Sequence, residues 1–212
     1  MQPGPIQVYK CPNCGNKVMN GTIASGNTFG SILYSDGKNV SPNFPDSPDI
    51  AKCSKCDTIF WLRKANEFEM VNYFNPIIQK FKAEDKARFF TLYEYVGALD
   101  STIIKSKVDE RDIRSAIWWR FNDRVRKGEP LFTSEKDKEI WENNTKRLIE
   151  LLDITDIDQK ISIAELNRNL GNFEKCLEIL NSIEIPKHGW LKEKFKKACH
   201  KKQKEVFVLN SQ

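Results

Sequence analysis

Two matched cysteine pairs, Cys11-Pro12-Asn13-Cys14-Gly15 and Cys53-Ser54-Lys55-Cys56, are the residues of this chain best equipped for chemistry. Each is a C-x-x-C turn, and 38 residues separate Cys14 from Cys53. Such a turn curls two thiolates toward one point and leaves backbone N–H groups free to bond the sulfurs. Two turns together supply the four soft ligands of a tetrahedral zinc ion. The expected cofactor is therefore Zn²⁺ on Cys11, Cys14, Cys53 and Cys56. Four protein ligands leave no position for water, so Lewis-acid hydrolysis is not expected there. A small domain with little apolar core draws much of its folding energy from such a metal.

Other catalytic patterns are missing from the sequence. The two histidines, His188 and His200, lie in a basic stretch without a nucleophile motif beside them. Cys199 and His200 are neighbours, and adjacent residues on a helix point about 100° apart. No phosphate-binding P-loop or dinucleotide glycine fingerprint occurs, and Ser25-Gly26-Asn27-Thr28-Phe29-Gly30 is only a loop with two glycines. The expectation is a chain that is not an enzyme.

The elements that must position the cysteines divide at about residue 70. Ile6, Val8 and Tyr9 predict a strand into the first turn, and Thr58-Ile59-Phe60-Trp61-Leu62 one out of the second. Between them, glycines and Ser35-Asp36-Gly37-Lys38 predict short strands and tight turns. The prolines of 41–49 predict an extended surface run. From about 84 onward the period is helical, with helices expected near 84–99, 109–127, 156–170, 172–183 and 188–204, and another capped by Ser134. Asn75-Pro76 breaks the pattern and marks 70–80 as the expected hinge. The fold class is α+β: a small β domain at 1–70 followed by an all-α domain at 76–206.

Composition narrows the partners. The chain has 212 residues, is 40% hydrophobic and carries a formal charge of +5. Residues 1–186 hold 26 Lys+Arg against 27 Asp+Glu, whereas 187–204 hold eight lysines against Glu193 alone. Any basic surface therefore sits at the C-terminal end. No apolar run approaches the roughly 18 residues of a membrane span. The first ten residues lack the basic and apolar regions of a signal peptide, so cytoplasmic residence is expected.

Tyr9-Lys10-Cys11-Pro12-Asn13-Cys14-Gly15, then Cys53-Ser54-Lys55-Cys56 and an aromatic strand, resembles the zinc ribbon over the first third of the chain. That resemblance implies two knuckles on β-hairpins sharing one metal, and many ribbons bind nucleic acid or proteins. The spacer here is longer than the usual one of about 15–20 residues, so an inserted hairpin or loop is expected. Residues 163–186 resemble one tetratricopeptide repeat, with Ala164, Leu170, Gly171, Phe173, Cys176, Leu180 and Pro186 near its small, turn, aromatic and closing positions. The order of the two parts resembles that of bacterial proteins joining a ribbon to tetratricopeptide-like helices.

The cluster Ile117-Trp118-Trp119-Arg120-Phe121-Asn122-Asp123-Arg124 reads first as core, with Trp118 and Phe121 on one helix face. A groove lined by Trp119, Arg120 and Arg124 is the functional alternative, since Trp and Arg anchor interfaces. The function expected is a zinc-stabilised, protein-binding adaptor with a protein or peptide partner. The alternative is a nucleic-acid-associated factor using the lysine-rich C-terminal helix through salt-sensitive phosphate contacts.

Overall fold

The computed structural model describes residues 2–65, 68–183 and 189–211, leaving aside the side chains of Phe68 and Ser211. Pro186 and His188, both singled out in the sequence, lie outside the described residues. The strands are β1 (Gln2–Pro3), β2 (Ile6–Lys10), β3 (Lys17–Asn20), β4 (Ile23–Ser25), β5 (Ile32–Tyr34), β6 (Asn39–Val40), β7 (Ile50–Lys52), β8 (Ile59–Trp61), β9 (Phe68–Val71) and β10 (Val208–Ser211). The helices are α1 (Leu92–Ala98), α2 (Lys107–Arg126), α3 (Glu135–Leu151), α4 (Ile157–Leu170), α5 (Phe173–Asn181) and α6 (Gly189–His200). The class is α+β, as the sequence period requires.

Two compact units divide the chain, but neither is a continuous stretch. The first comprises 1–31, 40–104 and residue 212; the second comprises 32–39 and 105–211. The expected division into 1–70 and 76–206 differs from these units in two places. Helix α1 belongs with the strands, and eight residues from between the cysteine pairs belong with the helices. Asn75-Pro76, the expected hinge, lies within the first unit. It opens a 3₁₀ turn, Pro76–Lys80, whose first N–H groups include that of Ile77, bonded to the Asn75 side chain at 3.0 Å.

In the first unit, β2 is the centre of an antiparallel sheet ordered β3-β2-β9, with Tyr9 opposite Val18 and Gln7 opposite Met70. Strands β7 and β8 form a separate hairpin pairing Ala51 with Phe60. The unit's buried apolar residues include Ile50, Trp61, Phe90, Leu92, Tyr95, Ala98 and Ile103 beside those around the cysteines. Tyr9, Cys11, Val18, Ala51, Cys53, Phe60 and Leu62 make one cluster, and Ile6, Val8 and Met19 another. Thr91 and Glu94 form a reciprocal cap at the start of α1, with Glu94 N–H to Thr91 Oγ1 at 3.3 Å and Thr91 N–H to Glu94 Oε2 at 2.8 Å. The Trp61 indole N–H reaches the Ile103 carbonyl at 3.2 Å.

In the second unit each long helix starts where a short polar residue can cap it. Ser106, Ser134 and Asp156 accept from the N–H groups of Asp109, Asp137 and Gln159. Phe121 is fully enclosed and meets Trp141 edge-on at 5.4 Å, where α2 packs on α3. Gly171 ends α4 in the left-handed region at φ 90°, and its N–H bonds the Arg168 carbonyl at 2.9 Å. Helices α4 and α5 thereby form the expected hairpin, with Cys176 in the core they share with α6.

Helices α2 and α3 are also clamped by Glu110. Arg147 donates to both its carboxylate oxygens, at 2.9 and 3.0 Å, and Arg114 adds a third bond at 2.9 Å. The Arg147 bonds, opposed by partial burial and reinforced by Arg114, hold the Glu110 carboxyl down to about 2. A carboxyl lowered by folding stabilises the fold above its ordinary pKa near about 4.3. That contribution is lost as pH falls through about 2. Glu110→Gln should therefore cost about 1 kcal/mol at pH 7. In chemical denaturation series the gap from wild type should close between about pH 5 and pH 2.

Candidate metal centre

The first cysteine turn joins β2 to β3 and the second joins β7 to β8, and the two are built alike. Cys11 N–H bonds the Asn16 carbonyl at 2.8 Å and Gly15 N–H returns to the Cys11 carbonyl at 2.9 Å. In the second turn Cys53 N–H bonds Thr58 at 2.9 Å and Asp57 N–H returns to Cys53 at 3.0 Å. The residue after each pair takes a left-handed conformation: Gly15 at φ 70° and Asp57 at φ 59°. Glycine adopts it without strain, whereas Asp57 does so at some cost.

The turns bring all four sulfurs within 4.8 Å of one another. Cys11 Sγ lies 3.6 Å from Cys56 Sγ, and Cys14 Sγ lies 3.6 Å from Cys53 Sγ. A tetrahedron with metal–sulfur bonds of about 2.3 Å has edges of about 3.8 Å, so the four donors fit one metal ion. Cys11 and Cys53 are buried, and Cys14 and Cys56 are half-buried.

Electrostatics favour a cation at the same point. The Thr58 hydroxyl, 3.2 Å from Cys56 Sγ, and the Thr58 N–H pull the Cys56 thiol down to about 6. The Asn16 N–H draws Cys14 down too, but the neighbouring sulfurs and desolvation outweigh it and push that thiol up to about 12. Four thiols this close cannot all ionise unaided, and a dication at their centre removes the repulsion.

Three residues that the sequence reading missed brace the two turns. Ser54 Oγ donates to Asp85 Oδ1 at 2.6 Å, and Asn16 Nδ2 reaches Ser54 Oγ at 3.1 Å and Asp85 Oδ1 at 3.5 Å. The Ser54 bond holds the Asp85 carboxyl below its ordinary value. Asn16 belongs to the first turn, Ser54 to the second, and Asp85 to a 3₁₀ turn at Ala83–Asp85. No spacing rule relates Asp85 to the cysteines, because the chain returns to them only through the tertiary fold. Such outer residues fix the ligand loops as much as the ligands do.

The groove residues expected on α2 are held inside the second unit. Trp119 is 37% exposed, and its indole N–H bonds the Asp36 carbonyl at 3.1 Å. Arg120 bonds Asp123 Oδ2 at 3.2 Å. Arg124 donates to the buried Asp137 at 2.6 Å and to the Leu131 carbonyl at 3.1 Å. The C-terminal lysines are partly spent as well. Lys192 bonds the Ile183 carbonyl at 2.6 Å and Lys194 bonds that of Leu209. Lys196, Lys197, Lys201 and Lys202 are exposed. Cys199 is buried while His200 is exposed, so the adjacent pair diverges as helix geometry requires. Burial raises the thiols of Cys176 and Cys199 and makes both inert as nucleophiles. Among the described residues no helix is long and apolar enough to cross a membrane.

Asp57→Gly should relieve the left-handed strain beside Cys56 and raise stability by about 0.5–1 kcal/mol, read as a higher denaturation midpoint of the metal-loaded chain. Asp85→Ala should leave metal stoichiometry intact and weaken retention by about 10-fold in chelator competition. No protein-family model, curated protein or solved structure matches the chain.

Proposed function

We propose that Cys11, Cys14, Cys53 and Cys56 hold Zn²⁺ as a structural ion, and that the protein is a zinc-stabilised, protein-binding adaptor rather than an enzyme. The observation that carries the reading is the closed set of four thiol donors with tetrahedral spacing. Thiolate sulfur selects zinc among the abundant divalent ions, and a filled shell has no position at which substrate or water could be activated. The ion then serves the fold: Cys11 and Cys53 sit inside the buried cluster between the two turns, so metal and packing hold the turns together.

Each unit offers an aromatic contact for a partner. In the first, Phe74 is 89% exposed and meets Tyr73 edge-on at 5.6 Å. In the second, the indole bond from Trp119 to Asp36 fixes the pose of a ring that keeps an open face. Rigid aromatic rings of this kind anchor protein interfaces at low entropic cost.

Purified chain should contain one zinc per molecule by elemental mass spectrometry. Cobalt substitution should give the visible bands of a tetrahedral tetrathiolate. A stoichiometry well below one, with the first unit still folded after chelation, removes the structural-zinc reading. For the adaptor role, Phe74→Ala and Trp119→Ala should each weaken a partner complex by about 10-fold with zinc content unchanged. Unchanged affinity in both removes the aromatic contacts. Retention on DNA or RNA that collapses with salt supports the nucleic-acid alternative instead.

A further inference from the structure

The eight residues 32–39 lie between the two cysteine pairs in sequence but belong to the helical unit. They form a β-hairpin whose turn closes with Gly37 N–H on the Tyr34 carbonyl at 3.0 Å and Tyr34 N–H on Lys38 at 2.9 Å, with Gly37 left-handed at φ 76°. Strand β5 pairs with β10, matching Tyr34 with Val208 and Ile32 with Ser211. Ser35 N–H bonds the Phe207 carbonyl at 2.9 Å, and Phe207 N–H returns to Ser35 Oγ at 3.1 Å.

Leu33 packs against the apolar core of the unit, and most of the other contacts that hold this hairpin are polar. Ser35 and Asp36 are buried, whereas Ile32, Leu33 and Tyr34 are only half-buried. Ser35 Oγ donates to the buried Glu165 at 2.7 Å. Asp36 accepts from Asn122 Nδ2 at 2.8 Å and from Arg126, and Lys38 Nζ bonds both oxygens of Asp123 at 2.8 Å. The network is incompletely satisfied, for Asn122 Oδ1 and Arg126 Nε are buried without a hydrogen-bond partner. Half-satisfied buried networks with little apolar area hold weakly.

Chain connectivity supplies the rest. Seventeen residues lie between Cys14 and Ile32, and thirteen between Asn39 and Cys53. With the metal bound, the hairpin is the middle of a loop pinned at both ends. Without it the cysteine turns lose their centre, and once the first unit opens with them the next fixed point after Asn39 is Lys105, with 65 residues between. Loop-closure cost grows as (3/2)RT ln n, so a fivefold longer tether disfavours docking about 10-fold.

We propose that metal occupancy at the four cysteines latches the 32–39 hairpin into the helical unit, making that unit responsive to zinc although none of its own residues binds it. This rests on the zinc reading above. Loss of the ion loosens the hairpin, and with it the β10 pairing and the bonds to Glu165, Asn122 and Arg126. By reciprocity, a weakened hairpin lowers zinc affinity.

The test is amide hydrogen exchange on the full chain before and after removal of metal by a chelator, with zinc content measured on the same samples. Protection at the Tyr34, Ser35 and Phe207 amides should fall about 10-fold with the metal and return on adding one equivalent of Zn²⁺. Amides of α3 should change less. If the Gly15 and Asp57 amides lose protection while those of the hairpin keep theirs, the latch is overturned and the zinc site stands. A chain purified without metal whose Gly15 and Asp57 amides are nonetheless protected overturns both. Ser35→Ala should also weaken zinc affinity several-fold in competition with a chromogenic chelator; wild-type affinity in that variant counts against the latch.

Discussion

Four sulfurs drawn from two turns to within one coordination sphere are the constraint on which the first unit depends. Each turn is locally simple, a strand end closed by two backbone hydrogen bonds. The buried cluster between them contains Cys11 and Cys53 themselves. Core and metal site are thus one object. The residues that touch the cysteines from outside, Thr58 through its hydroxyl and Asp85 through Ser54, tune thiol acidity and loop position without being ligands.

The second unit solves a different problem. Its interior contains ionisable pairs: Arg168 and Glu165, both fully buried, lie 2.5 Å apart, and the nearly buried Arg126 faces the buried Asp36. Burial pushes the Glu165 carboxyl up, and the Arg168 charge and the Ser35 hydroxyl pull it back. Arg168 also donates to the carbonyls of Gln203 and Glu205, and Asn169 donates to that of Lys204 at 2.7 Å. Helix α4 therefore holds the chain leading to β10 by polar contacts. Such networks add little net stability but disfavour every arrangement that leaves a charge unpaired.

Much of this was legible in the sequence because it is local. The caps at Ser134 and Asp156, the stop at Gly171 and the cysteine turns each follow from residue types a few positions apart. Trp118 and Phe121 were readable as core because two large rings at i, i+3 share a helix face, and both are buried. What escaped was long-range. Ser35-Asp36-Gly37-Lys38 announces a turn, but nothing near it says that Ser35 will meet Glu165, 130 residues away. The same holds for Arg124, whose composition suits an interface and whose partner, the buried Asp137, is set by how α2 meets α3. Within 163–183 the helices α4 and α5 make one hairpin, and α6 and β10 share its core.

The pairing of β5 with β10 has a consequence for biosynthesis. The hairpin leaves the ribosome more than 170 residues before the strand it pairs with. Until then Ser35 and Asp36 have neither Phe207 nor the mature helical interior to accept them, and β5 is an unpaired edge of the kind that invites pairing with other chains. A nascent chain thus carries β5 without its partner strand until β10 has been made.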